Sequence, residues 1–127
     1  MKELCIIRHA KSAWEYEVSD KDRPLKERGI NDAYLVSGHV KNKIEVPDLV
    51  LSSHANRALQ TATIFMKNMG IPFNRLHVNE ELYDFDGRQL TNVIKECDPS
   101  VDRLMIFGHN YALTSFSNTF GIKILIM

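Results

Sequence analysis

The 127-residue chain predicts a single α/β domain: three layers, with a mostly parallel central sheet flanked by helices. Three observations predict it. Short uninterrupted apolar runs, Leu4–Ile7, Leu49–Leu51 and Leu104–Phe107, have the character of strands covered on both faces. Stretches of helical period lie between them. Each run also gives way to a turn or helix carrying Arg or His, the place where open parallel sheets gather ligand-binding groups.

Taken in order, Leu4–Ile7 is the first strand and delivers Arg8-His9 at its end. The segment Trp14–Leu25 fits neither period. It is polar, holds Asp20, Asp22 and Pro24, and is expected to loop beside the strand end. Lys26–Ile44 carries Ile30, Ala33, Tyr34, Val40 and Ile44 at helical spacing. After the second strand, Ser52 and Ser53 are candidate N-caps for a helix with the stripe Ala58, Leu59, Ala62, Phe65, Met66 and Met69. Gly70 and Pro72 stop that helix. Phe73–Val78 is a weaker fourth strand, Gly87–Cys97 a third helix, and Tyr111–Phe120 a fourth. Their Met and aromatic residues are expected to be core. No internal repeat, low-complexity segment or linker interrupts the chain.

Composition narrows the function by exclusion. A hydrophobic fraction of 44% and a charged fraction of 25% are those of an ordinary globular protein. A formal net charge of zero gives a general nucleic-acid or membrane-surface role no electrostatic support. No apolar stretch reaches the roughly 18–20 residues of a membrane span, and the N-terminus lacks the pattern of a secretory signal. Cys5 and Cys97 have neither CxxC nor zinc-ligand spacing, so the expectation is unpaired thiols in a reducing cytosol, with no metal or other cofactor. Between Asp48 and Glu80 there is no acidic residue, while Arg57, Lys67 and Arg75 fall inside that span, a bias that favours an anion.

The anion best suited to two arginines and two histidines is a phosphoryl group, which Arg grips in bidentate fashion. A neutral imidazole at His9 is a competent nucleophile toward phosphorus, and a phosphohistidine intermediate divides one hard displacement into two easier ones. Charge then develops on the phosphoryl oxygens, and Arg8 is placed to meet it. Nearby positive charge also opposes protonation of His9. Arg57 falls in a first helical turn, where backbone N–H groups and the dipole already favour anions. His109, after Gly108, repeats the arrangement from a third strand end. Taken singly, each of these residues would pass as a solvated arginine or a structural histidine.

Their combination is more specific. The segments RHAKS (Arg8–Ser12), DRPLKERG (Asp22–Gly29), PDLVLSSHANRALQTA (Pro47–Ala62), ELYD (Glu81–Asp84) and GHN (Gly108–Asn110) together resemble the histidine phosphatase superfamily, the phosphoglycerate-mutase-like fold. Within it they are similar to the compact SixA-type phosphohistidine phosphatase branch, over about Leu4 to Gly121. The resemblance implies that His9 is phosphorylated, that Arg8 and Arg57 bind phosphoryl oxygens, and that His109 completes the pocket as a further donor. Ser12 and Lys11 are secondary phosphate-binding candidates. His39, His54 and His77 match no catalytic position and are expected on the surface or in helix packing.

Many relatives that cleave phosphate esters use a Glu or Asp to protonate the leaving group, and Glu81 is the candidate here, beside Glu80 and Asp84. A solvated charge or helix cap is the competing use of such a residue. A weak acid favours phosphohistidine, whose departing nitrogen is basic. The leading expectation is therefore a metal-independent cytoplasmic phosphatase acting on phosphohistidine in a protein partner, helped by the lack of a long insertion that would close over the pocket. The alternatives are a broad phosphomonoesterase of small phosphorylated substrates and a low-turnover phosphate- or phosphoprotein-binding module. A mutase is less favoured, because returning a phosphoryl group to a bound sugar acid needs enclosing and recognition elements that the sequence does not show. Oligomeric state stays open. Relatives continue beyond the helix after GHN, whereas here the strand-like apolar run Ile122–Met127 follows Gly121, so the expectation is a C-terminally truncated domain with that run uncovered.

Overall fold

The computed structural model describes residues 3–14 and 17–109 and the backbone of 121–125. Its central sheet has five strands, β1 (Glu3–Arg8), β2 (Leu49–Ser52), β3 (Leu76–Val78), β4 (Arg103–Gly108) and β5 (Gly121–Leu125), in the order β3-β2-β4-β1-β5. Every pairing is parallel. The helices are α1 (Glu27–Val40), α2 (Asn56–Met69) and α3 (Arg88–Lys95).

Strand alternation produces the three layers. Along β1, Cys5 and Ile7 join a core with Ala33 and Val40 of α1 and Ala62, Phe65 and Met66 of α2. Leu4 and Ile6 point the other way, into a second core with Leu90, Val93 and Ile94 of α3. Both faces of the sheet are thereby dry, which explains why its strands read as unbroken apolar runs. Burying each such side chain contributes about 1.5–3 kcal/mol.

Helix ends follow local chemistry. Gly70 closes α2 with φ 73°, a left-handed conformation that a Cβ disfavours, and the Ile71 N–H returns to the Met66 carbonyl at 2.8 Å. The Asp84 carboxylate accepts from the Gln89 and Leu90 N–H groups at 3.0 and 3.2 Å, capping the first turn of α3. Gly29 in α1 lies so close to the preceding loop that a Cβ would stand 2.1 Å from the Lys11 carbonyl oxygen. That approach holds the segment after β1 against α1, and Lys26 N–H donates to the same carbonyl at 3.0 Å.

Several boundaries differ from expectation. Helix α1 stops at Val40, short of Ile44, which is reached through a turn and still packs against the core. The fourth strand is shorter than Phe73–Val78, because Pro72 leads into a 3-10 turn at Phe73–Arg75 and only Leu76–Val78 pairs with β2. Ser52 and Ser53 do not cap α2. Its N-cap is Ala55; the Ser52 hydroxyl donates to the Ser53 carbonyl, and the Ser53 hydroxyl accepts from the Ala55 N–H. The apolar C-terminal run begins as a paired strand, β5, in register with β1 from Glu3↔Gly121 to Ile7↔Leu125. The expected helix Tyr111–Phe120 falls outside the described residues.

Candidate active site

Parallel pairing places the carboxyl ends of β2, β4 and β1 side by side, with Arg8 in register with Gly108 and Ser52 with Phe107. Backbone ladders continue one residue further: His9 N–H donates to Gly108 O at 2.9 Å, and Ser53 N–H to Phe107 O at 3.0 Å. His9, Ser53 and His109 are thus set by the sheet, and Arg57 by the start of α2. His9, His109 and Arg57, with Arg8, Lys11, Ser12, Trp14, Asp20, Arg23 and Phe85, surround a cleft of about 610 Å³, and Ser53 stands behind His109.

The imidazole of His9 is oriented on both sides. Its Nδ1–H donates to the Ala10 carbonyl at 2.6 Å, which fixes the tautomer and leaves a lone pair on Nε2. Ala10 is held in turn by its N–H bond to Thr61 Oγ1 at 3.1 Å. The buried Arg57 donates through Nε to His9 Nε2 at 3.2 Å and through Nη2 to His109 Nδ1 at 3.4 Å. His109 therefore accepts at Nδ1 and donates from Nε2 to Ser53 Oγ at 3.0 Å. The two rings meet edge to face, their centroids 5.4 Å apart.

Both imidazoles are kept neutral. Burial lowers the His9 pKa to about 4, with the charges of Arg57, Arg8 and Arg23 acting in the same direction against the Ala10 hydrogen bond. Burial also lowers that of His109 to about 3, aided by Arg57 and His9 and opposed by Asp20. Between about pH 6.5, where an unfolded histidine titrates, and the folded value near 4, the unfolded chain binds more protons, so stability rises with pH across that window. The melting temperature is expected to fall as the pH is lowered from 7 toward 4.5, and to fall less steeply in His109→Gln. Calorimetry over that range checks the expectation, and parallel pH slopes would refute it.

The predicted residues are distributed unequally. Arg8, His9, Lys11, Ser12, Arg57 and His109 all line the cleft. Ser12 is buried, with its hydroxyl accepting from Arg23 Nη1, while Lys11 is exposed. Glu81 is not brought into the cleft. It is exposed on the 3-10 turn Glu80–Leu82, where its N–H donates to Asn79 Oδ1, and neighbouring Asp84 is taken up in capping α3. The carboxylate that does enter is Asp20, from the loop after β1. His39 and His77 are exposed as expected. His54 lies nearer the site, packing edge to face on Tyr83, whose ring in turn meets His109 at 5.2 Å.

Sequence reasoning gave no role to Arg23, Asp20 or Phe85. Arg23 belongs to the DRPL segment, and Asp20 precedes it by three residues. Their signal was the charge held in a non-periodic loop predicted to border the site. Phe85, 56% exposed, packs at 5.0 Å from His109, and nothing in its neighbourhood of the sequence distinguished it from a surface residue.

A parallel α/β sheet with a neutral histidine and converging arginines at its carboxyl edge defines a class of proteins suited to binding small oxyanions. The profile of the histidine phosphatase superfamily (branch 1) matches residues 4–113, and the chain belongs to that family. An uncharacterized protein of Mycobacterium tuberculosis is 35% identical over 103 residues, covering 81% of this chain and 62% of its own length. The chain thus spans less than two thirds of that relative. Among solved structures, the Agrobacterium tumefaciens protein assigned as phosphohistidine phosphatase SixA superposes with a TM-score of 0.73 at 31% identity, covering 83% of this chain and 66% of that one. The protein histidine phosphatase SixA complexed with tungstate superposes at 0.69 and 27% identity, covering 82% and 67%.

Proposed function

We propose that this chain is a phosphatase that removes phosphoryl groups from histidine in a protein, through a phosphohistidine intermediate on His9. The observation that carries the reading is the His9 ring itself, pinned at Nδ1 by a main-chain carbonyl, neutral, and presenting Nε2 among arginines. In the first step Nε2 bonds to phosphorus while the P–N bond of the substrate breaks, and the departing imidazole nitrogen takes a proton from solvent. In the second, water attacks phosphorus, the bond to Nε2 breaks, and inorganic phosphate leaves with His9 restored. Arg8 and Arg57 bind the non-bridging oxygens as their charge grows. His109, which now accepts from Arg57, becomes a donor by taking a proton when a dianion enters.

Three features support the finer assignment. A relative of similar fold binds tungstate, a tetrahedral oxyanion, and is a protein histidine phosphatase. The carboxylate in the resting cleft, Asp20, is held ionised by its bond from Arg23 and then by Tyr83 and Arg57, so it begins the reaction with no proton to give an ester leaving group. The rim residues Trp14 and Phe85 are 76% and 56% exposed, leaving the cleft within reach of a residue carried on another protein. The arginines supply the positive charge that a divalent metal would bring.

A substrate panel in the presence of a chelator tests all of this. Turnover is expected to be unchanged by chelation and faster on a phosphohistidine protein than on phosphoserine, sugar phosphates or nucleotides. Equal rates on phosphohistidine and phosphoserine, with strong loss in Glu81→Gln, would assign an ester phosphatase using Glu81 as its acid. Loss of activity on chelation, restored by one metal, would overturn the metal-independent mechanism.

A further inference from the structure

The carboxylate of Asp20 sits in the cleft as a bound anion would. Its Oδ1 accepts from Arg23 Nη2 at 2.8 Å, its Oδ2 from Arg57 Nη2 at 2.9 Å, and the Tyr83 hydroxyl also donates to Oδ2. Two oxygens bridging two guanidinium groups reproduce the way arginines take a pair of phosphoryl oxygens.

The partners in this cluster differ in freedom. Arg23 is 7% exposed, its Nη1 donates to Ser12 Oγ, and its guanidinium lies 3.4 Å over the Trp14 ring. Its Nε is buried without a hydrogen-bond partner. It is a fixed cation. The Asp20 side chain is 45% exposed. Its loop is tied down independently of the carboxylate: Ser19 Oγ donates to Asp22 Oδ2 at 2.6 Å, Asn56 Nδ2 to Asp22 O at 2.9 Å, and Arg57 Nη1 to Asp20 O at 2.6 Å. Rotation about the side-chain bonds of Asp20 can therefore clear both arginines into solvent while the main chain stays in place.

Resting on the phosphatase reading above, we propose that Arg23 is a third phosphoryl-binding arginine and that Asp20 is its resident counter-anion, displaced when a phosphoryl group enters and restored as phosphate leaves. A dianionic phosphoryl group outcompetes one carboxylate for two guanidinium groups, whereas a singly charged ligand gains little by the exchange. Asp20 thereby selects for phosphoryl dianions and helps expel the product.

The test is calorimetric titration of the full chain with inorganic phosphate at fixed ionic strength. Asp20→Asn keeps the size of the side chain and removes its charge, and it is expected to bind phosphate about 10-fold tighter, the equivalent of one charge-assisted hydrogen bond no longer competed for. Arg23→Gln is expected to bind at least about 10-fold more weakly. A strut that merely positions Arg57 would give the opposite sign, so weaker or unchanged binding in Asp20→Asn overturns the proposal. That variant lies on an exposed loop and decides the matter even if the buried Arg23→Gln does not fold. Unchanged binding in a folded Arg23→Gln would overturn the role of Arg23. Should Arg57→Ala lose phosphate while both other variants match wild type, this proposal falls and the phosphatase reading stands. Absence of both phosphate binding and turnover in the wild type would remove the two together.

Discussion

Replacing His9 with alanine is expected to abolish turnover and to remove the acid-labile, base-stable label that the wild-type protein takes up during a brief, rapidly quenched exposure to a labelled phosphodonor. The expectation rests on the geometry of the two cleft histidines. His9 directs Nε2 at the guanidinium that would share the phosphoryl group with it. His109, 5.4 Å away, gives Nε2–H to Ser53 and accepts at Nδ1 from Arg57, so both of its ring nitrogens are engaged before any ligand enters. Without the proposed nucleophile, no other ring nitrogen among the described cleft residues has the same alignment. A label that persists in His9→Ala would move the covalent step elsewhere.

Arg57→Ala is expected to lose about 10²–10³-fold in kcat/KM, the order found when one transition-state donor is deleted. The loss has a second component that a merely weakened binding site would not show. Arg57 is among the charges that hold the His9 pKa near 4, so without it His9 titrates at a higher pH. The acid limb of the rate profile should shift upward in Arg57→Ala and stay put in Arg8→Lys, which retains its charge. An unshifted limb would mean that the charge of Arg57 does not help to keep His9 neutral. Because Arg57 is only 2% exposed and fills space between α2 and the cleft, the melting temperature of the variant separates lost stability from lost chemistry.

Much of this was readable in the amino-acid order because the relevant forces act locally. The runs around Leu4, Leu49 and Leu104 are apolar on both faces since both faces are covered, and their ends carry Arg8, Ser53 and His109 to one edge of the sheet whatever the loops do. Gly70 after an apolar stripe stopped α2 for a reason contained in one residue. The positions that escaped depend on distant partners. Ser53 became a support for His109 because β4 lies next to β2, a fact of sheet order and not of the SS dipeptide. Asp20 reaches the arginines because its loop is anchored to α2 through Asn56, 34 positions on from Asp22. Glu81 had the right chemistry at a suggestive spacing, yet the turn that carries it faces solvent.

The pairing of β1 with β4 has a consequence for how such a molecule fails. Arg8 stands opposite Gly108, and both cores depend on the odd and even residues of β1 going to opposite sides. A slip of one position would exchange the two sides and turn the residues beyond the strand end away from α2. On the proposed function, misalignment and loss of activity would be one event, and a misassembled copy would not act with altered preferences. Within a sample, the fraction of chains that accept a phosphoryl group would count the fraction whose strands found their correct neighbours, making turnover a direct assay of folding fidelity.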